Sequence, residues 1–160
     1  MTIYSKYLKR AKELGAKEAK VILAKSIVAA EWVRLKCQFG CDGYGQCLTC
    51  PPNSPAPLET RAMLKWYKKA ILIHGGEHSD IRSIVAILER EIFLDGYFKA
   101  FAMAAGPCYL CDSCAKSCRH ADKARPSMEA CGIDVYTTVR NNGYPIKVVK
   151  RRDCKGNYYG

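Results

Sequence analysis

Apolar positions recur every three to four residues at the start of the chain, where Ile3, Tyr7, Leu8, Ala11 and Leu14 share one face and basic residues stand between them. That is the helical period, and it predicts an amphipathic helix over residues 2–14, with Thr2 as its cap and Gly15 as its stop. Residues 20–24 read as a strand, and residues 26–30 fit no single period. Over residues 31–36, Trp32, Arg34 and Lys36 alternate with Val33 and Leu35, which predicts a second strand running directly into Cys37. Three glycines and four prolines between Gly40 and Pro57 then impose a loop over residues 38–58. A helix is expected over 57–68, a strand over 70–74, a turn at Gly75 and Gly76, and a longer helix from Ser79 or Asp80 to about Leu94. Residues 97–104 read as a strand delivering the chain to Gly106 and Pro107. Pro126 suits the first turn of a short helix, Asp134 caps another that runs to Asn142 and ends at Gly143, and residues 145–150 read as a returning strand. The alternation predicts an α/β or α+β fold: a single mixed sheet flanked by helices, in one domain spanning residues 1–160, with cysteine-rich loops at 37–58 and 106–131.

Composition narrows the class. A chain of 160 residues can bury a sizeable core without covalent staples. Its ten cysteines are too sparse for a small secreted disulfide scaffold, and the start MTIYSKYLKRAKELG lacks the apolar core of a signal peptide. The expected setting is therefore the reducing cytoplasm, where closely spaced cysteines serve as metal ligands or redox groups. No apolar run reaches the length needed to span a bilayer, so no membrane role is expected. The net charge of +11 lies at the ends of the chain, with +6 in residues 1–36 and +5 in residues 106–160. Lys116, Arg119, Lys123 and Arg125 flank a cysteine run and could balance a negatively charged centre. A nucleic-acid patch is the competing account of the charge. The basic residues nevertheless interleave with apolar ones at helical spacing, the pattern of an ordinary solvated face.

The sharpest motif is Cys108, Cys111, Cys114 and Cys118, spaced C-x2-C-x2-C-x3-C as in the ligand run of bacterial ferredoxins. Such spacing lets successive thiolates wrap one cubane cluster while nearby amides face its sulfurs. Zinc fits less well, because structural zinc sites draw two cysteine pairs from separate segments. Arg119 stands where the ferredoxin run carries proline, and the fourth cysteine of that run serves a second cluster in two-cluster ferredoxins. Cys37, Cys41, Cys47 and Cys50, spaced C-x3-C-x5-C-x2-C, match no standard zinc finger. Four thiolates in a glycine-rich loop can still form a second metal site, or simply pack against the first. Cys131 reads as a small buried apolar residue and Cys154 as a thiol without a role. His120 could replace a thiolate, although a surface or capping role suits it better. His74 and His78 flank a turn rather than sitting on a helix, which makes both structural. No Ser/His/Asp order, phosphate loop or Rossmann fingerprint is present.

The segments E31-WVRLKC, C41-DGYG, C50-PPNSP, G106-PC-YLC and C118-RHADKARPSMEACGIDV together resemble the cysteine-rich family called domain of unknown function 2284, over roughly residues 18–159. The resemblance implies metal or iron–sulfur binding in a stand-alone protein and no known reaction. It implies Cys37, Cys41 and Cys50 as a first ligand set and Cys108, Cys111 and Cys118 as a second. Cys47 stands where the family pattern has a serine or another non-ligand, and the Cys114-to-Cys118 spacing is shorter than in relatives. Relatives also continue past an N-Y-Y-G stretch into an apolar strand, so the resemblance implies a sheet that lacks an edge or borrows one.

The expected function is that of an iron–sulfur protein, with one or two clusters of the 4Fe-4S type, serving electron transfer or sulfur and iron handling beside a redox or sulfur-transfer partner. Two alternatives come from other classes. One is an enzyme in which a cluster held by three thiolates leaves one iron open to substrate. The other is a zinc module contacting nucleic acid through its basic ends.

Overall fold

The computed structural model describes residues 3–148 and 158–160. In chain order the elements are α1 (Ser5–Glu13), β1 (Glu18–Leu23), α2 (Glu31–Gly40), α3 (Pro57–Leu64), β2 (Lys69–Gly75), α4 (Ile81–Leu94), α5 (Val135–Asn141) and β3 (Tyr158–Tyr159). Short 3-10 turns occur at Ala24–Ser26 and Glu129–Cys131. Helices flank one sheet, as expected, in the α+β form. The sheet has the order β1-β2-β3 and is antiparallel throughout, with Glu18 opposite His74, Leu23 opposite Lys69, and His74 opposite Tyr159.

Successive residues of a strand point to opposite faces, and β2 shows what this does for the core. Ile73 joins Ala11, Ile81, Ile84, Val85 and Leu88 under α1 and α4. Its neighbour Leu72 joins Ile22, Ile133, Val135, Val139 and Tyr159 on the other face. With both faces covered, β2 reads as the unbroken apolar run Ala70, Ile71, Leu72, Ile73. Gly75 lets α4 close over the strand end, since a Cβ there would lie 2.5 Å from Ile81 Cδ1.

Several helix ends follow their predicted chemistry. Asp80 caps α4 by accepting from the Ser83 amide at 3.1 Å, and Asp134 caps α5 by accepting from the Thr137 amide at 2.9 Å. Gly15 (φ 106°) and Gly143 (φ 83°) take the left-handed conformation that ends a helix. The predicted Thr2 cap lies outside the described residues.

Three expected strands need correction, and one helix is shorter than expected. Residues 31–36 are not a strand but the start of α2. Glu31 stands in the first turn of that helix, where its charge suits the dipole, and it pairs with Arg61. A six-residue alternation with only Val33 buried is compatible with either period, and the helix wins by docking on the Glu129–Cys131 turn. Residues 97–104 form no strand, because the Ala102 amide donates to Glu89 Oε2 at 2.6 Å instead of to a sheet neighbour, and only Ala104 makes an isolated bridge, to Ser127. Residues 145–148 likewise form no strand, and residues 149–150 lie outside the described region; the third strand comes from Tyr158 and Tyr159. The helix expected over 57–68 ends at Leu64.

Candidate metal centre

The eight clustered cysteines occupy two loops that the fold anchors separately. Cys37 sits in the last turn of α2, so a helix rather than a strand delivers the first set. Cys41, Cys47 and Cys50 follow on a loop that folds on its own backbone: the Gly45 amide donates to the Pro51 carbonyl at 2.7 Å, and the Asn53 amide to the Cys50 carbonyl at 2.9 Å. The loop is then tied to the Glu129–Cys131 turn by two buried hydroxyls. Ser54 Oγ donates to the Ala130 carbonyl and Thr60 Oγ1 to the Cys131 carbonyl, each at 2.6 Å. Gly132 follows in the left-handed conformation with its Cα against Pro57, where a Cβ would collide with the proline ring. The segment from Arg125 to Val135 is thus the bed on which the first cysteine loop rests.

The second loop, residues 106–125, is closed at its base by Arg82 of α4. This buried guanidinium donates to the Pro107 carbonyl at 2.7 Å, the Gly106 carbonyl at 3.1 Å and the Arg125 carbonyl at 2.7 Å, so one side chain holds both ends of the loop. The Arg125 side chain makes a two-pronged ion pair with Glu89, at 2.8 and 2.6 Å. Its charge is therefore spent on Glu89, not on balancing a cysteine-bound centre. Arg119 folds back onto the Ser113 carbonyl at 2.9 Å. Arg82 and Glu89 carried no signal in the sequence, because their partners lie far along the chain: backbone carbonyls for Arg82, the Ala102 amide and the Arg125 guanidinium for Glu89.

The thiols of the two loops meet. Cys47 and Cys50 lie side by side, and Cys47 is near enough to Cys114 and Cys108 of the second loop for those groups to act on it. Burial pushes Cys50 up to about 11, with the thiolates of Cys47, Cys41 and Cys37 adding to the shift. Cys37 and Cys47 are raised by the same causes, burial first and neighbouring thiolates after it. Ionising these thiols together is costlier than ionising one alone, a cost that a bound cation would offset. Cys108, Cys111, Cys114 and Cys118 line a small recess that Leu48 and Thr49 of the first loop help to close, with His120 at its wall.

Every described cysteine is a free thiol. Among the described residues, no three Cys, His, Asp or Glu side chains converge on one point that could hold an ion. The donor set nevertheless fits a thiophilic metal in kind, since soft thiolates on two facing loops select zinc or iron–sulfur clusters over hard cations. Convergence would require the thiols to turn inward on loops whose ends are already fixed. Cys131 stands apart, fully buried, with burial pushing it up to about 12. Cys154 lies outside the described residues. His74 is structural, stacked on Tyr159 at 4.7 Å between ring centres, and His78 is exposed. No helix among the described residues is long and apolar enough to cross a membrane.

The family model described as "Predicted metal-binding protein (DUF2284)" matches residues 20–160, which span both cysteine loops and the bed beneath them. The chain belongs to this family. Neither the curated proteins nor the solved structures yielded a match. Membership in this family of predicted metal-binding proteins accords with the thiol-rich loops.

Proposed function

We propose that this member of the family binds an iron–sulfur cluster, of the 4Fe-4S type, on the paired cysteine loops, and that it serves electron transfer or the handling of sulfur or iron. The observation that carries the reading is the meeting of the two loops, where Leu48 and Thr49 of the first help close the recess lined by Cys108, Cys111, Cys114 and Cys118 of the second. It sets a ferredoxin-spaced run beside a second thiol-rich loop, so that soft donors lie on both of the facing loops. When bound, such a cluster supplies one-electron chemistry or labile sulfide and iron. The protein's part is positional. Arg82 fixes the ends of the ferredoxin-spaced loop, Ser54 and Thr60 fix the first loop, and Leu48 and Thr49 shield the recess from water.

The test is anaerobic reconstitution with ferrous iron and sulfide, followed by electron paramagnetic resonance before and after dithionite. A reducible cluster signal that is lost in Cys111→Ser supports the reading. A protein that takes up zinc tightly, and no iron or sulfide, overturns it.

A further inference from the structure

Residues 47–50 of the first cysteine loop form a closed turn with a thiol at each end. The Cys50 amide donates to the Cys47 carbonyl at 3.1 Å, and Asn53 Nδ2 donates to the same carbonyl at 3.3 Å. The Asn53 amide donates to the Cys50 carbonyl at 2.9 Å, and Gly45, before the turn, donates to the Pro51 carbonyl after it at 2.7 Å. A turn closed between its first and fourth residues brings their Cα atoms within about 7 Å. A disulfide spans Cα separations of about 4.4–6.8 Å, so the backbone under Cys47 and Cys50 suits one. Their thiols lie side by side, both half-buried and both free. Cys114 also neighbours Cys47, but it stands exposed on the other loop, and no single turn holds that pair in register.

We propose that Cys47 and Cys50 are a reversible dithiol–disulfide couple, oxidised by exchange with a small-molecule disulfide, and that closing it withdraws two donors from the metal-binding loops. The thiolate of one cysteine attacks a sulfur of the incoming disulfide and displaces the first small thiolate. The thiolate of the other then attacks the protein sulfur of the mixed disulfide and displaces the second. Two electrons leave the pair, the small disulfide becomes two thiols, and the two protons of the cysteines end on them. Excess small thiol reverses both steps and restores the donors. The run from Cys108 to Cys118 keeps its four thiols in either state. Only the bearing on metal rests on the cluster proposed above; the couple itself rests on the turn.

The experiment equilibrates the full chain with mixtures of reduced and oxidised glutathione in the presence of a chelator, blocks the remaining thiols by alkylation and maps disulfides by peptide mass. A Cys47–Cys50 disulfide should form as a two-electron transition and reverse with excess reduced glutathione. It should form equally in Cys114→Ser and be absent from Cys50→Ser. The couple is overturned if no disulfide forms, if Cys47 pairs instead with Cys114, or if the transition survives in Cys50→Ser. In a second arm the anaerobically purified protein meets oxidised glutathione without chelator, and its bound metal should slow closure at least tenfold. Equal rates with and without chelator, in a chain that carries iron, overturn the link to metal. A chain purified without iron that still closes the disulfide contradicts the cluster reading and upholds the couple.

Discussion

Arg82→Met removes the clasp of the second cysteine loop while keeping most of the arm's bulk. The wild-type guanidinium makes three hydrogen bonds to carbonyls at 2.7 to 3.1 Å and is only 7% exposed. Each bond from a charged donor contributes about 1.5–3 kcal/mol, but they share one side chain and do not add fully. Losing the guanidinium also relieves the cost of holding a charge away from water, so the net destabilisation should be about 2–4 kcal/mol. With a urea slope of about 2 kcal/mol/M for a chain of this size, the midpoint should fall by about 1–2 M. The effect should be local as well as global: trypsin should cut at Lys116, Arg119 or Lys123 in the variant well before it cuts the helices and β1–β2. A midpoint unchanged to within about 0.3 M, with the same digestion pattern as wild type, would refute the idea that Arg82 closes the loop.

Other outcomes follow from the same contacts. Thr60→Val keeps the shape of a fully buried side chain but strands the Cys131 carbonyl, and should cost about 1–3 kcal/mol in denaturant unfolding. Cys131→Ala should leave metal content unchanged, measured as metal per chain, because Cys131 lies outside both loops. It should also alter the alkaline limb of stability. Burial pushes the Cys131 thiol up to about 12 when folded, against an ordinary thiol value of 9.0 when unfolded, so its contribution is intact below pH 9 and is lost as pH rises toward 12. The slope approaches 1.4 kcal/mol per pH unit across that window, and the alanine variant should lack it. Cys47→Ser should weaken metal retention even though Cys47 departs from the family pattern, because it lies beside Cys114 and Cys108 of the other loop; equal retention in dialysis against chelator would mark it as a bystander.

Capped and punctuated elements could be read directly from residue order. Asp80, Asp134, Gly15 and Gly143 each act through neighbours three or four residues away, and the structure places α4, α5 and the end of α1 accordingly. Segments whose fate depends on distant partners were misread. Residues 31–36 became helical because the Glu129–Cys131 turn, about 95 residues on, offers α2 a docking surface. Residues 97–104 stayed out of the sheet because Glu89 takes the Ala102 amide. The two cysteine sets were visible from their spacing alone. Their junction at Cys47 and Cys114, the clasp by Arg82 and the bed supplied by the segment after Arg125 were not, since each arises from long-range backbone contacts that leave no local period.

The central claim, an iron–sulfur cluster on the paired loops, is tested most directly by purifying the protein under strict anaerobiosis and measuring iron, acid-labile sulfide and zinc per chain. The account predicts iron and sulfide in equal amounts, about four of each per cluster, in a brown protein whose colour disappears in Cys111→Ser. A colourless protein carrying stoichiometric zinc and no sulfide would contradict it.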